Sequence, residues 1–498
     1  MRILVTGGTG VIGTEAISEL LRSGHAVRLL SRNAEEDARQ WNGVEPAQGD
    51  VSEAASLGGL ADGCDAILHI AGLISDDEVE LERVNVGGTA NMLAEGLRAG
   101  VGRFVYISSL GAEKGESLYH RSKRKAESLV TQSTLDWTIV RPGNVYGPGD
   151  AVISLLLRAV RALPVVPVID AGTQPFQPLW HEDLAKACTK ILERDDLKGQ
   201  TLEIAGPEIT SMRDVLERFA AITDRRPSRL PIPHFLASVA TALGSAVGVT
   251  LPIDQSRLTM LQEENVIVEG RPNAMDTLKI APTLLDKALR LLADSLPEQL
   301  AEEGVGALHH KTFFAEIAGS RFNAESLMTW FRDRASDVMP IEFDTEPGTP
   351  QRLDLGATLT AKIPLRGNVQ VRVEAAEPTR VVLATLEGHP LAGTVEFTTV
   401  DRPNGIRFAV DTFTRAANAL DFVALKSVGE PMQDSNWKEV VQRVIDASGG
   451  TSSAGVKNIS ESLDDAAAAK VEERRKEMVQ QRKRDDAEAA GPQVPQRP

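Results

Sequence analysis

The chain is poor in the residues that mark several kinds of protein. It has two cysteines, Cys64 and Cys188, among 498 residues. They provide neither a disulfide framework nor zinc-ligand spacing, and no metal site is expected. Aromatic residues make up 4%, with three tyrosines in all. Positive charge is scarce beside negative: 54 Lys and Arg against 70 Asp and Glu, a formal net charge of −16. Nucleic acid and anionic membrane both reward clustered Lys and Arg, so neither is expected as the primary partner. No signal peptide precedes the first apolar strand, Ile3-Leu4-Val5, which points to the cytoplasm. Long hydrophobic runs are missing apart from one diluted stretch, "FLASVATALGSAVGVTL" at 235–251. It carries no charge and approaches span length, but Ala, Gly, Ser and Thr weaken it. Three readings are open for it: a packed or amphipathic helix, a peripheral membrane or protein-complex contact, or a true span.

What is present is globular. Apolar residues reach 42% and charged residues 25%, over a length that predicts two or three domains. Strand and helix signals alternate through residues 1–225. Ile3–Thr6 is a short apolar strand; Ile17, Leu20 and Leu21 follow at helical spacing, with Gly24 at the helix end. Further strands are expected at Ala26–Leu30, Ala66–Ile70, Arg103–Ile107 and Trp137–Val140. Such alternation predicts an α/β fold, a doubly wound parallel sheet covered on both faces. From 226 to 300 helices dominate, a small substrate or partner region. From 305 to 450 the order is strand, helix, antiparallel strands, long helix. Asn323 is placed to cap a helix carrying Leu327, Trp330 and Phe331, and a last helix is expected from about Asp434 to Gly449-Gly450. Residues 451–498 form a low-complexity charged tail, expected to be disordered or a solvated single helix.

The turn "TGGTGVIG" places Gly7, Gly10 and Gly13 between a strand and a helix. Bare glycine backbone lets a pyrophosphate approach, and the helix N-terminus offers unpaired N–H groups and partial positive charge. Thr9, Val11 and Ile12 belong to the same cradle. At the end of the second strand an acidic residue would accept from the ribose hydroxyls. The chain has Ser31-Arg32-Asn33 there. Arg32 can pair with a 2′-phosphate, which favours NADP(H) over NAD(H); the alternative is a surface arginine.

The stretch "SSLGAEKGESLYHRSK" runs from Ser108 to Lys123 and holds a Tyr-x-x-x-Lys pattern, Tyr119 and Lys123. Carbonyl chemistry beside a nicotinamide needs a proton partner at the oxygen. A tyrosine with its ordinary pKa near 10 is a poor base at neutral pH, and a neighbouring ammonium lowers it. Residues four apart on a helix share a face, which explains the spacing. The alternative is a basic helix surface with Lys123 solvated. His309-His310 joins no further ligand pattern and is read as a loop pair.

These motifs resemble the extended or atypical short-chain dehydrogenase/reductase superfamily, the NAD-dependent epimerase/dehydratase and NmrA-like group. "GDV" at 49–51, "HIAG" at 69–72, "NVGGTANML" at 85–93 and "RPGNVYGPGD" at 141–150 match it beside the glycine turn. Over residues 1–295 the sequence is similar to the subfamily that includes the nucleotide-binding accessory subunit of respiratory complex I. The resemblance implies a Rossmann fold with cofactor contacts at Asp50, Val51, Ala71, Gly72, Asn85, Tyr119, Lys123, Pro142 and Asn144. It implies Tyr119 as acid/base, Lys123 as its tuner and ribose anchor, and Ser109 on the substrate oxygen, with Ser108 the weaker choice. Ten positions separate Ser109 from Tyr119, a shorter loop than the family arrangement. Residues 305–450 resemble the START-like or SRPBCC superfamily, which implies an α+β helix-grip domain with an apolar ligand cavity lined from the Val369, Val395, Phe408 and Trp437 sets; a filled core is the alternative. Two functions follow as expectations. One is an NAD(P)H-dependent oxidoreductase acting on a small apolar carbonyl substrate. The other is a non-catalytic NADPH-binding accessory or assembly protein of a membrane or quinone-linked complex.

Overall fold

A computed structural model describes residues 1–150, 152–162, 165–169, 172–225, 227–232, 265–340, 342–343, 352–363, 367–418, 421 and 430–489. The uncharged stretch 235–251 lies outside the described residues.

The N-terminal part is the expected doubly wound sheet. Strands β1 (Arg2–Thr6), β2 (Ala26–Ser31), β3 (Glu45–Gln48), β4 (Ala66–His69), β5 (Arg103–Ile107), β6 (Trp137–Pro142) and β7 (Gln200–Ile204) lie in the order β7-β6-β5-β4-β1-β2-β3. Every pairing is parallel. Alternate residues of each strand serve opposite faces. Ile3, Val5 and Leu29 pack with helices α1 (Val11–Arg22) and α4 (His181–Leu192) on one side. Leu4, Leu30, Ile67 and Phe104 pack with α2 (Gly88–Ala99) and α3 (Leu118–Gln132) on the other. Ile3, Leu4 and Val5 are wholly buried, so β1 reads as a continuous apolar run because both faces are covered. The strand order reverses between β1 and β4, and the crevice at such a switch point is where open α/β sheets bind ligands.

Beyond residue 225 the chain first adds another strand, Ser228–Ile232, paired in parallel with Val165–Ile169. This strand adds to a region expected to be mainly helical; "RLPIPH" carries two prolines that weaken the strand signal there. Helix α5 (Leu285–Asp294) then closes a second core with Leu157, Val160 and Phe219.

The C-terminal part is an antiparallel sheet. Its strands are β8 (Val305–Ile317), β9 (Glu342–Phe343), β10 (Thr358–Ile363), β11 (Gly367–Glu377), β12 (Arg380–Thr385), β13 (Leu391–Arg402), β14 (Gly405–Ala416) and β15 (Lys457–Ser462). They lie in the order β9-β10-β11-β12-β13-β14-β8-β15. Helix α6 (Ala324–Asp333) starts at the expected Asn323, whose side chain accepts from the Ser326 amide at 2.9 Å in a reciprocal capping box. Helix α7 (Glu430–Ser448) lays Val440, Val441, Val444 and Ile445 on the sheet. Where an apolar ligand cavity was expected, Phe331 lies 4.8 Å from the Phe397 ring and 5.4 Å from that of Phe408. Phe397 also meets Trp437 at 6.0 Å. These rings belong to the core between the sheet and helices α6 and α7.

Over its described residues the charged tail forms strand β15 and a helix, the helical alternative of the two expected. Strand β15 pairs with β8, so the two histidines expected in a loop sit in a strand pair. Helix α8 (Asp465–Ala489) docks through a few apolar side chains, Ala468 against Leu308 and Val479 against Leu300 and Ala384, and through ion pairs. Arg482 donates to Glu374 at 2.7 Å and to Glu298 at 2.9 Å. All three side chains are buried. Arg161 joins the two halves of the molecule, donating to Gln370 of β11 at 3.0 Å and to the Ala293 carbonyl at 3.1 Å.

Candidate active site

The glycine turn sits at the C-terminal end of β1. Gly7 has φ +71°, and a Cβ there would lie 2.7 Å from the Ala71 amide nitrogen. A Cβ on Gly13 would lie 2.1 Å from the Gly7 carbonyl oxygen. The turn is therefore closed tightly against β4 and against the first turn of α1, and only glycine fits either position. Gly10 caps α1 with no side-chain hydrogen bond, so the first-turn amides of Val11 and Ile12 have no side-chain acceptor from the cap residue. Thr9 and Gly10 are exposed at its mouth.

Below the turn is a buried polar chain that connects four elements. Thr6 Oγ1 lies 2.7 Å from His69 Nδ1 and accepts from the Ala71 amide at 3.1 Å. His69 Nε2 lies 3.2 Å from Thr89 Oγ1, which donates to the Asn85 carbonyl at 2.7 Å. Burial pushes His69 down to about 3, with the Lys123 charge adding to the effect, so the imidazole is neutral. Asn85 lies in a single π-helical turn, Glu82–Gly87, that leads into α2. Such an interruption aims one side chain out of the regular helical register. The Asn85 carboxamide pairs with the backbone of Leu73 in both directions, at 2.7 and 2.9 Å, and donates to Ser122 Oγ at 2.9 Å. Asn85 thereby ties the end of β4 to α3.

Helix α3 buries a polar face: His120, Ser122, Lys123 and Glu127. Lys123 Nζ donates to the Ile107 carbonyl at 2.9 Å and lies 4.9 Å from the centre of the Tyr106 ring. It also passes over Gly72, where a Cβ would lie 3.0 Å from the ammonium. Lys123 is thus not the solvated surface residue of the alternative reading. Burial pushes its ammonium down to about 8, opposed by Glu127. Burial also pushes the Tyr119 hydroxyl up to about 12. Ser108 donates to Glu127 at 2.6 Å, and Arg141 grips the same carboxylate at 2.9 and 2.7 Å. Ser108 is therefore occupied by structure. Ser109 Oγ lies instead 3.3 Å from His120 Nε2.

Toward the β2 edge, Arg32 is exposed at the end of that strand. Asp50 accepts from the Ser52 amide at 2.9 Å and its hydroxyl at 2.8 Å. Burial raises this carboxyl, but the Ser52 bonds and the charges of Arg32 and Arg83 outweigh it and hold Asp50 below its ordinary range. Val51 is buried and its carbonyl accepts from Asn91 at 2.9 Å. At the far end, Pro142 closes β6, and Asn144 Oδ1 is buried without a hydrogen-bond partner. An orphaned acceptor there, an uncapped helix start and a turn with no room for a Cβ all fit a dinucleotide laid across the crevice.

The family model of the NAD dependent epimerase/dehydratase family matches residues 3–205. The chain is 36% identical over 244 residues to the ceramide reductase of Caulobacter vibrioides, covering 48% of this chain and 76% of that protein. The chain belongs to the NAD-dependent epimerase/dehydratase family. It is 35% identical over 179 residues to a 3 beta-hydroxysteroid dehydrogenase/Delta 5-->4-isomerase of Mycobacterium tuberculosis, matching 30% of this chain and 48%, about half, of that relative. It is 24% identical over 279 residues to the mitochondrial NADH dehydrogenase [ubiquinone] 1 alpha subcomplex subunit 9 of Arabidopsis thaliana, with 53% and 68% covered. None of these matches extends over the whole chain.

Of the residues expected from sequence, Gly7, Gly13, Ala71, Gly72, Asn85 and Lys123 converge at the β1–β4 crevice. Arg32, Asp50 and Val51 group beyond the end of β2, where the Arg32 charge acts on Asp50. Thr6, His69, Thr89, Ser122 and Glu127 were missed. Glu127 carried a signal, falling four positions after Lys123 on the same helix face. His120 had none along the chain, because its neighbours are loop backbone. Among the described residues no helix is long and apolar enough to cross a membrane.

Proposed function

We propose that this chain is an NADP(H)-dependent oxidoreductase acting on an apolar carbonyl compound. The observation that carries the reading is the burial of Lys123: its ammonium donates to the Ile107 carbonyl and, with Asn85 Oδ1, lies over Gly72 just beyond β4. Gly7, Gly10 and Gly13 would hold the pyrophosphate, Arg32 a 2′-phosphate, Asp50 the adenine, and Lys123 the nicotinamide ribose. The bound nicotinamide would supply or accept hydride. Tyr119, a phenol protonated at neutral pH and pushed further up by burial, is suited to giving a proton to the oxygen of a carbonyl as it is reduced. Ser109 is the second donor toward that oxygen. An apolar substrate accords with relatives named for ceramide and a steroid.

A second reading, an NADPH-holding accessory protein, has the complex I relative in its favour. In that case the C-terminal sheet domain, read as START-like, or the segment 235–251 docks the partner. Native mass spectrometry of gently purified protein, then identification of released small molecules, tests both. Co-purified NADP(H) oxidised by long-chain or steroidal ketones supports the first reading. Retained nucleotide left unoxidised across the ketone set supports the second.

A further inference from the structure

We propose that His120 positions Ser109: a proton on His120 Nε2 engages the serine oxygen and leaves the serine hydroxyl free to donate to a substrate oxygen. This rests on the oxidoreductase reading. Both residues are buried, Ser109 at 7% exposure and His120 at 1%, with Oγ and Nε2 3.3 Å apart. The His120 ring also lies 5.3 Å from that of Tyr119.

The imidazole sits in a slot built for it. A Cβ on Gly111 would lie 2.3 Å from Cε1 and 2.4 Å from Nε2 of the ring, and one on Gly115 2.4 Å from Nδ1. Loop backbone therefore packs directly on the ring edge, which no residue but glycine allows at either position. The loop is held there. Arg124 donates to the carbonyls of Ala112 and Gly115 at 2.7 and 2.6 Å, and the Gly115 amide donates to the Gly111 carbonyl at 2.8 Å. Ser117 Oγ accepts from the His120 amide at 3.3 Å, which fixes the start of α3. The short gap between Ser109 and Tyr119 is thus closed by a 3₁₀ turn, Leu110–Ala112, folded around this ring.

The chemistry then selects a tautomer. A serine hydroxyl has one proton. Were Nε2 an acceptor, it would take that proton, and Ser109 would turn lone pairs toward the substrate oxygen. With Nε2 as donor, Ser109 accepts from the ring and its own proton remains available. Negative charge grows on the carbonyl oxygen during reduction, and donors already aimed at it stabilise the transition state. Only the second arrangement gives two donors, Ser109 and Tyr119.

The test uses the full chain labelled with 15N-histidine. Long-range 1H–15N spectra at neutral pH read the tautomer of each histidine, with His120 assigned by its loss in His120→Gln and its shift in Ser109→Ala. A protonated Nε2 is expected; a bare Nε2 with Nδ1 protonated overturns the proposal. With NADPH and a set of apolar ketones, His120→Phe should lower kcat about tenfold or more with KM and nucleotide Kd little changed, and His120→Gln, which keeps an N–H near the Nε2 position, should restore most of it. Unchanged kcat in a folded His120→Phe protein also overturns it. If no ketone is reduced, the oxidoreductase reading fails on its own, and the tautomer still decides the role of His120.

Discussion

Lys123 Nζ lies 6.0 Å from the centre of the Tyr119 ring, with its hydrogen bond given to the Ile107 carbonyl. The pair is close enough to interact, yet burial dominates: the phenol is pushed up to about 12 and the ammonium down to about 8. At neutral pH Tyr119 is therefore a proton donor in waiting, not a base. Replacing Tyr119 with Phe should lower kcat by about 10²-fold or more, the usual worth of a positioned acid. Nucleotide affinity by calorimetry should stay within about threefold. Full turnover by Tyr119→Phe on an identified ketone would remove Tyr119 from the chemistry.

The glycines of the turn are not equivalent. A Cβ on Gly13 meets the Gly7 carbonyl at 2.1 Å, while one on Gly10 comes no closer than 3.7 Å to the same oxygen. Gly13→Ala must push the turn away from α1 and should abolish nucleotide binding and lower the melting temperature. Gly10→Ala should fold normally, so any loss of affinity there reports ligand approach alone. Equal melting temperatures for the two variants would contradict the geometry.

Much of the N-terminal fold could be read from the chain because its signals are local. Buried apolar strands such as Ile3–Val5 and the glycine turn need no distant residue to be recognised. The preference for Ser109 over Ser108 rests on residues distant along the chain. Ser108 and Ser109 are adjacent, and only the folded chain shows Glu127 and Arg141 engaging the first while His120 meets the second. The tail's low apolar content argues against a buried core of its own, which leaves disorder and a helix both open; the helix forms where buried ion pairs and a few apolar side chains dock it on the sheet domain. Strand β15 shows no alternation because all six of its residues are exposed. The C-terminal helices were placed to within a few residues because Asn323 and Gly449 punctuate them.

The proposed preference for NADP(H) rests on Arg32. It is exposed at the end of β2, and its charge reaches Asp50. A 2′-phosphate would find this guanidinium, whereas a bare ribose hydroxyl gains little from it. Arg32→Ala should weaken NADPH binding by about tenfold, the range of a charge-assisted contact, with NADH affinity unchanged. Tighter NADH than NADPH binding by the unaltered protein would reverse the assignment.

His310 makes the tail strand sensitive to pH. Its ring lies between two carboxylates, 2.8 Å from Glu461 and 3.0 Å from Asp411, and stacks on Phe413 at 4.3 Å. The Asp411 hydrogen bond, with help from Glu461 and against burial, raises its pKa above the ordinary histidine value. A raised folded-state pKa means that protonated His310 favours the folded form. The contribution is complete below about pH 6.5, the unfolded value, and is lost as pH rises through the folded one. Melting temperatures across this window should fall more steeply with pH in the unaltered protein than in His310→Gln. Parallel curves would show that the carboxylates do not act on the ring.

The buried pair of Arg482 with Glu374 and Glu298 makes the last helix part of the domain. Burial and the neighbouring Glu298 charge push Glu374 up to about 7, while Lys483 and Arg372 overcome the burial of Glu298 and hold it low. Arg482→Met keeps most of the side-chain volume but leaves Glu298 and Glu374 facing each other with less compensation. Breaking one partner of a buried pair costs about 3–5 kcal/mol, and protonation of Glu374 should bring the loss toward the lower end. Pairing Arg482→Met with Glu374→Gln removes the remaining repulsion and should recover part of it. Urea unfolding of the three variants measures these differences. If Arg482→Met unfolds at the same urea concentration as the unaltered protein, α8 is a surface appendage and not a structural element of the sheet domain.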